Sequence, residues 1–356
     1  MSARTRDPWL DNAKMVLVTM VVLGHTWGLL GEHTYDNWFY DFLYFWHIPA
    51  FVLLSGYLSK SFEWDRAHLT SAVYVLLVPY VLFEPALYFW RRLLGQYESG
   101  ILWLHPHWAM WYLIVLFWWR LGTPLLKRHW LWLPLSVVIS LAAGLVSGQV
   151  FYLSRILGLL PFFVLGLHLE PRHLHRLDDP WVRVCAVGGL LGLLAVARFT
   201  DTFAQTAFLY YDAGYDDLGV DAPYAFQVRL TVMALGLVGA FSVLALVPRR
   251  TGWFARMGSA TMIVYLLHGF VVKAFDAPLG AFSEAFPIPA LVASTLGAVG
   301  LSLLLASPPA RRYLVWVVNP LGTWQNRRAA QPAAASAPPG SEATEGPQAT
   351  GTAERG

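Results

Sequence analysis

Charge is scarce in this chain and cysteine is nearly absent. Of 356 residues only 13% are Asp, Glu, Lys or Arg, about half the share of a soluble domain. That deficit excludes a disordered polymer and argues against a soluble globular enzyme. A single cysteine, Cys185, excludes an intramolecular disulfide and any Cys-based zinc or iron–sulfur centre. No HExxH pattern is present, and no second histidine follows the membrane histidines at i+4, so a bound metal is not expected. No internal repeat stands out. The net charge is only +3, and the basic residues lie in short clusters between apolar runs. They form no stripe of the kind that binds nucleic acid.

What the chain has in excess is apolar and aromatic surface. It is 56% hydrophobic, with 17 Trp, 16 Tyr and 21 Phe, residues that suit lipid–water boundaries. A spanning helix needs about 20 mostly apolar residues. Ten runs approach that length, near 13–30, 38–58, 69–90, 109–126, 130–147, 151–169, 181–198, 226–247, 258–276 and 289–306. The fourth is the weakest, interrupted by Arg120 and Pro124. The first lacks a small-residue cleavage site and should remain as a helix. The fold class expected is all-α, a polytopic membrane protein with about ten transmembrane helices. Residues 1–328 form the membrane domain, and 329–356, rich in Ala, Pro, Gly, Ser, Thr and Glu, a disordered tail.

The basic residues orient these runs. Ten crossings put both termini on one side, together with Arg4, Arg6, Lys60, Arg66, Arg120, Lys127, Arg128, Arg172, Arg176, Arg183, Arg249, Arg250, Arg256, Arg311 and Arg312. The other side clearly owns Arg91, Arg92 and Arg198. Lys and Arg favour the cytoplasmic face, so both termini should be cytoplasmic in a multi-pass protein of the cell membrane. The longest outer loop, 199–225, is rich in Tyr and Asp and matches no calcium-binding spacing. It should be a solvated acidic loop.

Ionisable groups inside spans are costly and mark candidate sites. The first run, LDNAKMVLVTMVVLGHTWGLL, carries Lys14 and, eleven residues on, His25. Eleven residues return to nearly the same helix face and rise about 16 Å. Lys14 as a snorkelling anchor is the plainer alternative. His47, ahead of Pro49 in the second run, and His268 in the ninth reach similar depth, so a shared cavity near the midplane is expected. Glu84 and Arg155 are further intramembrane polar groups, placed in the outer half as supports of that cavity or as boundary charges. His105, His107, Trp108 and Trp111 in and after the HPHW turn read as interfacial belt residues.

These segments resemble a known family. LDNAK, the spacing to Gly24-His25, WHIPAFVLLSGYL, HWAMWYLIVLFWWR, SRILGLLPFFVLG and GSATMIVYLLHG are together similar to the acyltransferase 3 family of integral membrane O-acyltransferases, most of all to its fucose 4-O-acetylase-like branch. The resemblance spans about residues 7–306. It implies ten core helices and transfer of an acyl group, usually acetyl from acetyl-CoA, to a hydroxyl of a glycan or other small molecule. It implies His25 as the catalytic residue and Lys14, where the family usually has Arg, as the donor-binding cation. The third run departs from the family, with no Lys or Arg between Arg66 and Pro79.

The expected chemistry fits the residues. A hydroxyl attacking a thioester needs a base, and neutral imidazole is the usual one near pH 7. His25 would take the hydroxyl proton, and His47 or His268 would be available to a developing oxyanion. Acyl-CoA is then a co-substrate rather than a permanently bound cofactor. The expected partners are acyl-CoA, a hydroxyl-bearing acceptor and the bilayer, with no nucleic acid. The alternative is a transporter with a mid-membrane histidine site.

Overall fold

The computed structural model describes residues 7–30, 38–96, 100–146 and 152–318, and the regular elements among them are helical. The expected tail at 329–356 lies outside the described residues. Helix α1 (Pro8–Trp27) starts on an N-cap, Asp7, which accepts a hydrogen bond from Trp9 N at 2.9 Å. Pro8 fills the first turn, where a missing N–H costs nothing. Helix α2 (Trp38–Ser59) contains Pro49. Helix α3 (Arg66–Leu93) carries one π turn, Val73–Leu77, just before Pro79. That wider turn relieves the clash of the Pro79 ring with the carbonyl four residues back.

A 3₁₀ turn, Trp108–Met110, leads into α4 (Trp111–Leu126), followed by α5 (Trp132–Ala143). The sixth run is split at Leu159 into α6 (Leu153–Gly158) and α7 (Leu160–His168), with Pro161 in the first turn of α7. Then come α8 (Pro171–Arg176), α9 (Pro180–Ala197), α10 (Ala222–Leu246), α11 (Trp253–Met257), α12 (Thr261–Ala274), α13 (Asp276–Ala285), α14 (Pro287–Ala306) and α15 (Pro308–Val318).

Helix therefore occupies each of the ten apolar runs, but the count of about ten spans is not reached by length and apolarity. Six segments qualify, namely α2, α3, α4 with its 3₁₀ turn, α9, α10 and α14, and the α12–α13 pair, bent by 59°, makes a seventh. The others fall short for local reasons. Helix α1 opens with polar Asp11, Asn12 and Lys14, α5 is 12 residues long, and Leu159 breaks the sixth run.

Helix α2 is the hub of the bundle. Cβ atoms at Gly56 and Gly166 would each lie 2.1 Å from a backbone oxygen of the other helix, Phe163 O and Leu53 O respectively. Helices α2 and α7 thus touch backbone to backbone, as small residues allow in membranes. Gly236 of α10 faces Phe45 O, the carbonyl that Pro49 leaves without its helical donor. Helices α9 and α14 form the outer wall and turn Val184, Leu191, Ile288, Val292 and Leu296 outward, an apolar face of the kind lipid solvates.

The segment 199–221 is not the solvated loop expected. Its 3₁₀ turns Thr200–Thr202 and Thr206–Tyr210 fold back onto the bundle, and Phe208, Tyr211 and Tyr215 are each only 1% exposed. The reason lies in its aromatics, whose burial outweighs the hydration of the interspersed aspartates.

Candidate functional site

The LDNAK stretch anchors α1. Trp9 Nε1 donates to Leu244 O at 3.3 Å, and Asn12 Nδ2 donates to Pro248 O at 2.8 Å and Arg250 O at 3.0 Å. Leu244 O belongs to the last turn of α10, and Pro248 O and Arg250 O to the segment that follows it. Lys14 pairs with Asp11 at 2.6 Å and lines a cavity of about 160 Å³ with Ser55, Tyr112, Arg120, Thr261 and Tyr265.

Towards the other end of α1, His25 meets His268 directly and lines one cavity with His47. His25 Nδ1 lies 2.9 Å from His268 Nε2, and the two rings are nearly parallel. His268 Nδ1 faces two backbone acceptors, Tyr265 O at 2.7 Å and Val264 O at 3.1 Å. A carbonyl only accepts, so His268 Nδ1 carries the hydrogen. With the pair neutral, His268 Nε2 is then an acceptor and His25 Nδ1 is the donor to it. The remaining nitrogen of His25, Nε2, keeps its lone pair, which is the tautomer a general base requires.

His47 follows the same logic. Its Nδ1 donates to Leu43 O at 2.8 Å, which leaves Nε2 as an acceptor. That Nε2 is buried without a partner. An acceptor of this kind can take a hydrogen bond from any donor that enters the cavity, water or hydroxyl. Neither His47 nor His268 therefore has a free N–H for an oxyanion in this arrangement. His268 instead orients His25.

The cavity beside His25 has a volume of about 280 Å³. His47, Tyr44, Trp108, Trp111 and Tyr152 line it, with the Arg155–Asp212 pair at 2.5 Å. Arg155 also stacks on Trp111 and Tyr152, 4.6 and 4.7 Å from their ring centres.

Of the residues read as an interfacial belt, His105 stays half-buried, whereas His107, Trp108 and Trp111 turn inward. His107 is 2% exposed and is bound by Glu84, whose carboxylate accepts from His107 N at 2.9 and 3.0 Å and contacts Nδ1. Glu84 is itself fully buried. It touches neither His25 nor His268. It holds the turn that presents Trp108, whose ring lies 4.3 Å from that of His25 and 5.3 Å from that of His268. Trp108 has φ +50° and Tyr152 φ +53°, a left-handed backbone that costs about 1–3 kcal/mol for a non-glycine residue and gathers at functional sites. Gly269 makes room for the Trp108 ring, since a Cβ there would sit 2.7 Å from Trp108 Cζ3. Sequence reasoning missed Trp108, His107, Tyr44 and Asp212 as site residues.

The Lys14 and His25 cavities share three helices, α1, α2 and α4. The rings of Phe51, Tyr112 and Tyr265 line the Lys14 cavity and touch one another. Phe51 and Tyr112 pack edge to face at 5.1 Å, and Tyr112 meets Tyr265 at 6.0 Å. On α4 the consecutive residues Trp111 and Tyr112 face opposite cavities.

An imidazole that lines a cavity and is held from behind by a second, inside a helical membrane protein, makes an enzyme of proton-transfer chemistry a natural class. Comparison with known proteins is specific. The acyltransferase domain of the acyltransferase 3 family matches residues 7–307, so the chain belongs to that family and is a multi-pass membrane O-acyltransferase. It is 27% identical over 364 residues to nodulation protein NolL of Sinorhizobium fredii (strain NBRC 101917 / NGR234), covering 90% of this chain and 91% of that protein. No solved structure matches the chain. Family membership displaces the transporter alternative.

Proposed function

We propose that this acyltransferase moves an acyl group, acetyl foremost, from acyl-CoA to a hydroxyl of a glycan or other small-molecule acceptor, with His25 as general base. The observation that carries this reading is the bond from His25 Nδ1 to His268 Nε2, 2.9 Å long, on the wall of the 280 Å³ cavity. His25 Nε2 takes the proton of the acceptor hydroxyl as its oxygen attacks the thioester carbonyl. The C–S bond breaks, the ester C–O bond forms, and the proton passes to the departing thiolate. His47 Nε2 receives a hydrogen bond from a second hydroxyl of the acceptor. Direct transfer is favoured over an acyl-enzyme, because His25 Nε2 then stays available as the base.

On this reading the donor enters from the Lys14 end, which faces the cytoplasm along with both termini, and the acceptor occupies the His25 cavity under the 199–221 segment. Helix α1, α5 and the α6–α7 pair complete ten crossings of the cell membrane. The fucose 4-O-acetylase-like motifs favour a sugar acceptor.

The test is His25→Ala. Base catalysis contributes about 10²–10⁴-fold, so turnover with both substrates saturating should fall at least a hundredfold. Acetyl-CoA binding should persist, because Lys14 lies about three turns away. Retention of more than about a tenth of wild-type turnover would remove His25 from the base role.

A further inference from the structure

Two larger cavities lie near the Lys14 cavity, one of them sharing a wall residue with it. One, of about 500 Å³, is lined by Asp11, Gly252, Arg256, Ser259, Pro308 and Arg311. The other, of about 590 Å³, is lined by Val75, Pro79, Ser259, Met262, Arg311 and Arg312. They share Ser259, Pro308 and Arg311, and the second shares Met262 with the Lys14 cavity. The three hollows form one chain around the start of α12. Each of the two larger ones falls within the range of about 300–1,000 Å³ typical of small-molecule sites.

Arginine dominates the charge on their walls; Asp11 is the one acid among the lining residues and pairs with Lys14. Arg311 Nη1 donates to Ser259 Oγ at 2.5 Å, which ties α15 to the turn before α12. Among the described residues Arg256, Arg311 and Arg312 form no ion pair with a carboxylate, a property Arg120 and Arg250 share, so it is their place on these walls that sets them apart. A cytoplasmic preference for arginine accounts for the side of the membrane. It does not account for three guanidinium groups on the walls of connected cavities. Such groups match phosphate oxygens bidentately. The wall that α3 contributes, Val75 and Pro79, is apolar, so anion contacts there must come from α11 and α15. Arg311 bridges the two cavities, with Arg256 in one and Arg312 in the other. That layout fits a ligand with phosphates at more than one position better than a single lipid headgroup.

We propose that these two cavities bind the phosphorylated nucleotide end of the acyl donor. Arg256, Arg311 and Arg312 are its phosphate contacts, and the thioester arm runs past Lys14. The proposal rests on acyl-CoA being the donor. The protein in neutral phosphatidylcholine nanodiscs tests it by titration with acetyl-CoA and with acetyl-pantetheine, which has no phosphate.

In Arg311→Ala/Arg312→Ala the Kd for acetyl-CoA should rise about tenfold or more, as loss of charge-assisted hydrogen bonds entails. The Kd for acetyl-pantetheine should stay within about twofold, and Arg311→Lys/Arg312→Lys should recover part of the loss. Arg256→Ala, on a separate helix, should act in the same direction and serves as the second probe if the double variant does not fold. Equal acetyl-CoA affinity in wild type and both variants would overturn the proposal while leaving the donor reading intact. So would variants that keep acetyl-CoA affinity but lose thermal stabilisation by phosphatidylglycerol, which would make this a headgroup site. A wild-type protein that binds no acyl-CoA yet still transfers acyl groups would instead sink the donor reading itself.

Discussion

Glu84 is the residue whose role the structure changes most. A fully buried carboxylate is tolerated only where donors surround it, and here they come from a turn 23 residues later in the chain, through His107 N and Nδ1. The consequence passes to the next residue, Trp108, whose ring packs at a tilt against that of His25. Glu84→Ala leaves those donors unpaired, at about 1–3 kcal/mol for each buried group. Thermal unfolding should therefore occur at lower temperature, and turnover should fall about tenfold with little change in KM for the donor. Glu84→Gln, which still accepts from His107 N, should lie between the two. If Glu84→Ala loses stability but keeps wild-type turnover, the turn does not position the His25 site. The sequence made His25 and Lys14 legible because both sit on one helix, where spacing alone fixes their relation. It could not pair Glu84 with His107, since a contact between a helix and an irregular turn has no period. HPHW beside a run of tryptophans therefore looked interfacial.

At the scale of elements, contact depends on side chains that are missing. Ser55-Gly56 in α2 reads as a close-packing spot from sequence, but its partner, the Phe163–Gly166 turn of α7, is visible only in the fold. Gly166→Ala would set a Cβ 2.1 Å from Leu53 O and 2.9 Å from Tyr57 N. Backbone cannot swing aside as a side chain can. Overpacking of this kind costs about 1–3 kcal/mol and at times more, so the variant should lose yield and melt earlier in detergent. Gly188→Ala is the matched control, because a Cβ there meets nothing within 4 Å. Alanine also raises helix propensity by about 1 kcal/mol over glycine. Equal melting of the two variants would show that α2 and α7 do not rely on this contact. Helix positions were legible for every run because apolar length is a strong signal. The breaks were less so. The split at Leu159 and the π turn before Pro79 arise from proline sterics within continuous apolar stretches, where hydropathy is blind to them.

At the scale of the whole molecule, charge and cavities divide the bundle into two ends. Lys14, Arg120, Arg256, Arg311 and Arg312 all line hollows at the end where α1 begins. Arg155, Asp212 and Tyr210 line the hollow at the other end. If lysine and arginine orient this protein as they do membrane proteins generally, the first end is cytoplasmic and the 199–221 segment faces outward. A phosphatase active only outside the cytoplasm, fused after Gly219, should then be active. The same reporter fused after Val318 should be silent, and a reporter that fluoresces only in the cytoplasm should be bright there. Gly219 suits the first fusion, because it lies in an irregular turn with φ +68° and no side chain packs within 4 Å of its Cβ position. Activity after Val318 with silence after Gly219 would invert the molecule. The arginine-lined cavities would then open away from the cytoplasmic pool of acyl-CoA, and the donor path proposed through Lys14 would fail with the topology.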